Sequence, residues 1–236
     1  MEVLSTRRQL LHGAAASFAS SRCAYASDDV TLDLQLILAV DASGSVDRER
    51  FNLQKQGYID AFRHEKVIDA IKAGPRQAIA VTMFQWTGSD AQADVCPWMI
   101  VRDQRSSHDL AAAIEEVPRR IHGGGTSISG AIDYAARLFA LCPQKAERRV
   151  IDVSGDGSNN GGRKVTVARD EAVARGITIN GLPILAIEPN LEDHYRDEVI
   201  GGPGAFLIAA KDFTQFGEAI VKKLITEISA NPISRG

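Results

Sequence analysis

The sequence has little of what marks a nucleic-acid binder, a membrane protein or a disulfide scaffold. Its 236 residues include only three cysteines, far too few for a fold built on bridges. Lysine and arginine (27) nearly balance aspartate and glutamate (30), and the two signs are interspersed, leaving no basic stripe for a nucleic acid or an anionic membrane surface. No apolar run approaches the roughly 20 residues that a bilayer-spanning helix requires. Internal repeats, low-complexity tracts and linker-like stretches are also missing. What remains, 44% hydrophobic and 24% charged residues, is the composition of one ordinary globular domain.

The first 26 residues differ from the rest. Arg7 and Arg8 precede Gln9, Leu10 and Leu11, a weakly apolar stretch follows, and Ala24-Tyr25-Ala26 supplies an A-x-A site. A positive segment, a short apolar segment and small residues at a cleavage site make a secretory signal peptide, here of the twin-arginine type. Cleavage after Ala26 leaves residues 27–236 as the domain, expected to be soluble and periplasmic or secreted. Cys96 and Cys142 both survive cleavage, and an oxidising compartment permits them to pair or to stay as two separate buried thiols.

From residue 32 onward, short apolar runs alternate with amphipathic stretches, the pattern of strands and helices taking turns. Residues 34–40 are almost wholly apolar and suit a central strand covered on both faces. Asp47 can cap a helix that carries Phe51, Tyr58 and Phe62 on one side. Residues 78–84 read as a second strand, and residues 95–101 as its antiparallel neighbour, placed at an edge by Pro97. A helix over 107–117, the loop Gly123-Gly124-Gly125 and a helix over 128–139 come next. Then follow a strand over 149–154, a helix over 165–175, a strand region over 177–187 and a short helix over 191–200. A last short strand over 206–209 precedes a helix capped by Asp212, with Phe213, Phe216, Ile220, Leu224 and Ile228 inward. The expected fold is α/β: a doubly wound, mostly parallel sheet with one antiparallel edge strand and helices on both faces.

In such sheets, ligands bind beyond the C-terminal ends of the strands, where the winding reverses. Three oxygen-rich loops fall at those ends. D-A-S-G-S (Asp41 to Ser45) follows the first strand, Thr126 and Ser127 follow the glycine loop, and G-D-G-S-N-N (Gly155 to Asn160) follows the 149–154 strand. Asp41 and Asp156 with Ser43, Ser45 and Thr126 form an all-oxygen shell suited to a hard cation such as Mg²⁺, with Mn²⁺ or Ca²⁺ as alternatives. Aspartates and serines after strands also make Asx-turns and helix caps, so the conjunction of three loops carries the metal reading. The glycine loop lacks both the spacing and the following lysine of a phosphate cradle.

D-x-S-x-S after a buried first strand, a threonine after a glycine loop and D-G after a later strand together resemble the metal-ion-dependent adhesion site of von Willebrand factor A domains. V-I-D-V-S-G-D-G-S-N-N and I-G-G-P-G-A-F resemble, more narrowly, an uncharacterised group of exported bacterial A-domain proteins. The resemblance implies a Rossmann-like fold from about Asp33 to Ile228, with Ser43, Ser45 and Thr126 as inner ligands and Asp41 and Asp156 contacting the ion directly or through water. It implies a protein-binding module, not an enzyme, whose ion is completed by an acidic residue of another exported or cell-envelope protein. One departure is visible: the apolar-Thr pair usual before Asp-Gly is here Ser154-Gly155.

Two further function classes compete. A metal-assisted hydrolase acting on a phosphoester needs a general base, and His122 is the only histidine beside a ligand loop. A periplasmic small-molecule receptor usually needs two lobes, for which this chain is short. Asp152, inside an apolar strand, either braces the site by reaching a loop hydroxyl or an arginine, or faces solvent at an edge. Trp86 stands either at the metal-bearing rim or in the packing. Replacing Arg7 and Arg8 by lysine is expected to leave unprocessed precursor in the cytoplasm; unchanged cleavage after Ala26 would refute the twin-arginine assignment.

Overall fold

The structure is a computed structural model, and it describes residues 32–230; the proposed leader at 1–26 lies outside them. Among the described residues, five strands form one sheet: β1 (Leu32–Asp41), β2 (Ile79–Trp86), β3 (Gln92–Val101), β4 (Ala146–Gly155) and β5 (Thr178–Pro183), in the order β3-β2-β1-β4-β5. All pairings are parallel except β2 with β3. Pro97 does sit on an edge strand, at a bulge: Val81 and Met83 on β2 face Met99 and Cys96, so two residues of β3 oppose Thr82 alone. A bulge on an edge accommodates the missing proline N–H.

Seven α-helices among the described residues cover the sheet: α1 (Arg48–Arg63), α2 (Glu65–Ala73), α3 (Gln104–Glu115), α4 (Ile128–Leu138), α5 (Val165–Ala174), α6 (Leu191–His194) and α7 (Phe216–Ser229). The period-2 alternation of β1 divides the core. Leu34, Leu36, Leu38 and Val40 pack against α1, α2, α3 and α7, whereas Ile37 and Ala39 pack against α4, α5 and the segment after β5. Asp47 caps α1 as expected, its Oδ1 accepting from the Arg50 N–H at 2.9 Å. Gly57 lets α1 and α7 approach closely, since a Cβ there would stand 2.6 Å from the Phe216 ring.

Several sequence expectations change. α2 was not foreseen; it fits between α1 and β2 on the strength of Val67, Ile68 and Ile71, with His64 as its cap. The strand expected over 177–187 ends at Pro183, and residues 206–210 touch β5 and Ile184 through isolated bridges without forming a strand. Helix α6 has one α turn and continues as a π-helical turn, Tyr195–Val199. Cys96 and Cys142 are free thiols. Cys96 is buried in the core on the α1 side and Cys142 packs beside Leu32 and Ala80, so the pair serves two separate clusters. Burial pushes the Cys96 thiol up to about 11, which makes it inert at neutral pH.

Asp152 is neither solvated nor paired with an arginine or a loop hydroxyl. It is fully buried, and Lys223 Nζ of α7 lies 2.7 Å from its Oδ1 and 2.6 Å from Glu227 Oε1. Asn180, the register partner of Asp152 on β5, donates to Glu227 Oε1 at 2.8 Å and accepts from the Phe206 N–H. Two carboxylates share one ammonium here; burial and Glu227 raise Asp152, against the pull of Lys223. Removing one member of such a group strands the others in a low dielectric. Lys223→Met is expected to destabilise the fold by about 3–5 kcal/mol in urea melts, while replacing Lys223, Asp152 and Glu227 together by Met, Leu and Leu recovers most of that loss. A single variant as stable as the parent would show the network to be dispensable.

Candidate metal site

The sheet winds from β1 towards β2 in one direction and from β4 towards β5 in the other. Its switch point therefore lies between the C-terminal ends of β1 and β4, where Asp41 closes β1 and Asp156 follows β4. Both aspartates are essentially buried, as are Ser43 and Thr126. Ser45 is half-buried and Gly44 is exposed at the tip of the loop.

The alternation Asp41-x-Ser43-x-Ser45 folds back on itself. Asp41 Oδ1 accepts from the Ser43 N–H at 2.7 Å, an Asx-turn, and the Ser43 and Ser45 hydroxyls lie 3.1 Å apart. Ser45 Oγ then donates to Asp156 Oδ1 at 2.5 Å, and the Asp156 N–H reaches Asp41 Oδ2 at 3.4 Å. Those bonds join the first and third loops. The second loop joins the first through the Gly44 N–H and Gly124 O at 3.3 Å, and a Cβ on Gly44 would come 3.3 Å from that same oxygen. It joins the third through Thr126, whose N–H donates to Asn160 Oδ1 while its carbonyl accepts from the Asn160 N–H, both at 2.8 Å. All five expected ligands thus belong to loops that touch one another.

The backbone of the first loop is held from both sides. Arg50 Nη1 donates to Ser45 O at 2.8 Å, and Arg119 Nη2 donates to Ala42 O at 2.9 Å and Ser43 O at 3.2 Å. From below, buried Gln54 donates to Asp41 O at 3.3 Å. Sequence reasoning missed these supports and also Glu188, which accepts from the Ser158 N–H at 3.1 Å and adds negative charge near Asp156. Arg50 was detectable as a basic residue in the turn after D-x-S-x-S. Glu188 arrives from beyond β5 and had no local signal.

The electrostatics fit a cation. Asp41 is pushed up to about 7, first by burial and then by the charge of Asp156, against the hydrogen bonds from Ser43. Asp156 is also raised by burial, against Ser45 and Arg50. Asp156 Oδ2 is buried without a hydrogen-bond partner, which leaves it free to accept a further ligand. Among the described residues, no three His, Cys, Asp or Glu side chains gather as a metal shell, so a cation here depends on the hydroxyls.

The departure at Ser154-Gly155 has a steric cause. A Cβ on Gly155 would meet Asp41 Oδ2 at 2.9 Å, Tyr195 Oη at 3.0 Å and Trp86 at 3.3 Å. Trp86 is accordingly fully buried beneath the site and is not a rim contact. Ser154 turns to the other side, within 3.2 Å of the Tyr58 hydroxyl. His122 is exposed and lines a groove of about 490 Å³ with Arg48, Phe51, Asn52, Lys55, Val117, Pro118 and Arg119, a set that contains none of the five candidate ligands.

The family profile described as "Protein of unknown function (DUF1194)" matches residues 31–232. The chain belongs to the DUF1194 family. No curated protein matches it. Among solved structures, this DUF1194 chain is similar to proximal thread matrix protein 1 from the mussel byssus, at 16% identity and a TM-score of 0.61 over 84% of this chain and 49% of that one. It is similar to a von Willebrand factor type A protein from Catenulispora acidiphila (15%, 0.57, covering 84% and 43%) and to the pilus adhesin SpaC from Lactobacillus rhamnosus GG (11%, 0.56, covering 84% and 31%). The chain spans half or less of each. At these identities the likeness establishes the fold: this DUF1194 protein has a von Willebrand A-like domain.

The raised Asp41 makes a testable link to pH. A carboxyl whose folded value exceeds its unfolded value stabilises the fold below the unfolded value and loses that stabilisation as pH rises through the folded one. In chelator, the wild type is therefore expected to lose on the order of 4 kcal/mol between about pH 4 and pH 7 from this group. Asp41→Asn removes the contribution; identical pH profiles in denaturant melts would contradict the assignment.

Proposed function

We propose that this chain is an exported, non-enzymatic, metal-dependent protein-binding module. The observation that carries the reading is the buried Asp156 Oδ2, which has no hydrogen-bond partner, at the meeting point of three hydroxyl-bearing loops. Asp41, Ser43, Ser45, Thr126 and Asp156 are the residues that would hold a divalent ion, Mg²⁺ in the first place, with Mn²⁺ or Ca²⁺ as alternatives. When bound, the ion supplies a positive centre with room for one more oxygen ligand.

The chain's own residues suit that role. Only two of the five donors are carboxylates, so much of the ion's charge is left for an incoming carboxylate. Ser43 and Ser45 keep their hydroxyls within 3.1 Å of each other, and Arg50 and Arg119 hold the loop backbone in place. The partner is then an acidic residue on another exported or cell-envelope protein. Support also comes from relatives of the same fold: proximal thread matrix protein 1 has been solved with a zinc-occupied MIDAS motif, and SpaC is a pilus adhesin. The leader at residues 1–26 would bring the domain, residues 27–236, to the periplasm or outside the cell. Among the described residues, no helix is long and apolar enough to cross a membrane.

Asp41→Ala, Ser43→Ala and Thr126→Ala are each expected to abolish Mg²⁺ and Mn²⁺ binding in calorimetry. In chelator, Ser43→Ala and Thr126→Ala should melt near the wild type, because the apolar strands and helix stripes beneath the loops carry the stability, whereas Asp41→Ala should melt higher at neutral pH, since it removes the buried charge. Pull-down from native periplasm with and without chelator tests the partner step. A wild type that binds neither ion at millimolar concentration would overturn the reading.

A further inference from the structure

We propose that Arg50 is a resident counter-cation of this site, competing with the divalent ion for Asp156 and setting how tightly the ion is held. The inference rests on the metal-binding reading above and adds a residue outside the five ligands. Asp156 has two unlike oxygens. Oδ1 takes the Ser45 hydroxyl at 2.5 Å, while Oδ2 has no hydrogen-bond partner and faces Arg50 Nη1 at 3.7 Å. That separation is too long for a hydrogen bond and short enough for strong Coulomb attraction in a partly desolvated pocket.

The guanidinium is held where it is by other contacts. Its Nη1 donates to Ser45 O at 2.8 Å, its Nε lies 3.9 Å from Asp47 Oδ2, and its Cζ sits 5.3 Å from the centre of the Phe213 ring. A third of its side chain remains exposed, which leaves it a path to solvent. The groups facing it are therefore two carboxylates, one carbonyl and one ring, with Glu188 adding negative charge near Asp156. In the metal-free protein the guanidinium balances a buried carboxylate that would otherwise be stranded. In the metal-bound protein the same positive charge stands against a divalent ion drawing on the same carboxylate. The two cations oppose each other, so Arg50 stabilises the empty site and weakens the filled one.

Arg50→Gln removes the charge and keeps a donor for Ser45 O. Calorimetry with Mg²⁺ on the whole chain is expected to show binding about 3- to 10-fold tighter than wild type, with a lower melting temperature in chelator and a larger Mg²⁺-induced rise. Arg50→Lys keeps the charge on a folded background and is expected within about twofold of wild-type affinity. Unchanged or weaker Mg²⁺ binding by Arg50→Gln would overturn the inference, and so would a lysine variant as tight as the glutamine one, since packing and not charge would then set the affinity. Failure of the wild type to bind Mg²⁺ or Mn²⁺ at all is a different outcome, which removes the metal reading itself.

Discussion

Two carboxylates buried beside each other at the ends of adjacent central strands are the constraint on which the rest of the site depends. Asp41 and Asp156 are almost inaccessible, and their strands β1 and β4 are hydrogen-bonded neighbours. Like charges in a low dielectric repel, and each loses hydration as well. The loops respond with every donor within reach. Asp41 takes backbone N–H groups from Ser43 and Asp156, and Asp156 takes the Ser45 hydroxyl and the field of Arg50. Even so, Asp41 is pushed up to about 7, so the protein's own groups leave the pair under-compensated near neutral pH. A fixed divalent charge is the economical completion of such an arrangement.

Strand β4 makes the same point by contrast. Val150, Asp152 and Ser154 share one face of the strand, turning from apolar to polar as it approaches the site. Asp152 has an ammonium at 2.7 Å, shared with Glu227, so it has a direct ion-pair partner inside the fold. Four residues further on, Asp156 has its nearest cation at 3.7 Å; both aspartates keep an oxygen without a hydrogen-bond partner, so the difference between them is the distance to the cation. The first carboxylate has its counter-ion in direct contact; the second is the one for which we propose an ion from solution.

The sheet and the ligand loops were legible in the sequence because both rest on local pattern. The apolar run that became β1, the alternation of strands and helices, and D-A-S-G-S, Thr126 and Gly155-Asp156-Gly157 at strand ends need only short-range information. What was not legible is long-range. Lys223 on α7 answers Asp152 across 71 positions of sequence, and nothing near either residue announces the other. Glu188, Arg119 and Gln54 reach the site from separate elements for the same reason. The segment after Pro183 read as a strand because residues 184–187 are mostly apolar. Their backbone, however, makes one isolated bridge, Ile184 with Ala210, to which the Leu185 N–H also donates, and Ile187 is exposed. The small α2 was hidden between two strong signals, with only three large apolar residues, Val67, Ile68 and Ile71, to mark it.

Gly155 shows how such a departure from a family pattern is explained from below. A threonine there would need a Cβ within 3.0 Å of both Asp41 Oδ2 and the Tyr195 hydroxyl. Tyr195 is fully buried, comes from the π-helical turn after α6, and brings its ring against Gly181 of β5, where a Cβ would stand 2.6 Å from it. Two glycines on neighbouring strands therefore clear the space for one tyrosine ring, and Trp86 closes the same space from β2. The volume that a threonine side chain would fill in the third loop is filled by aromatic side chains from elsewhere in the chain. The floor beneath Asp41 is therefore aromatic and closed to solvent, which contributes to the burial that raises Asp41. The substitution that looks like a loss in the motif is a gain in the core, and it acts on the site through the dielectric around Asp41.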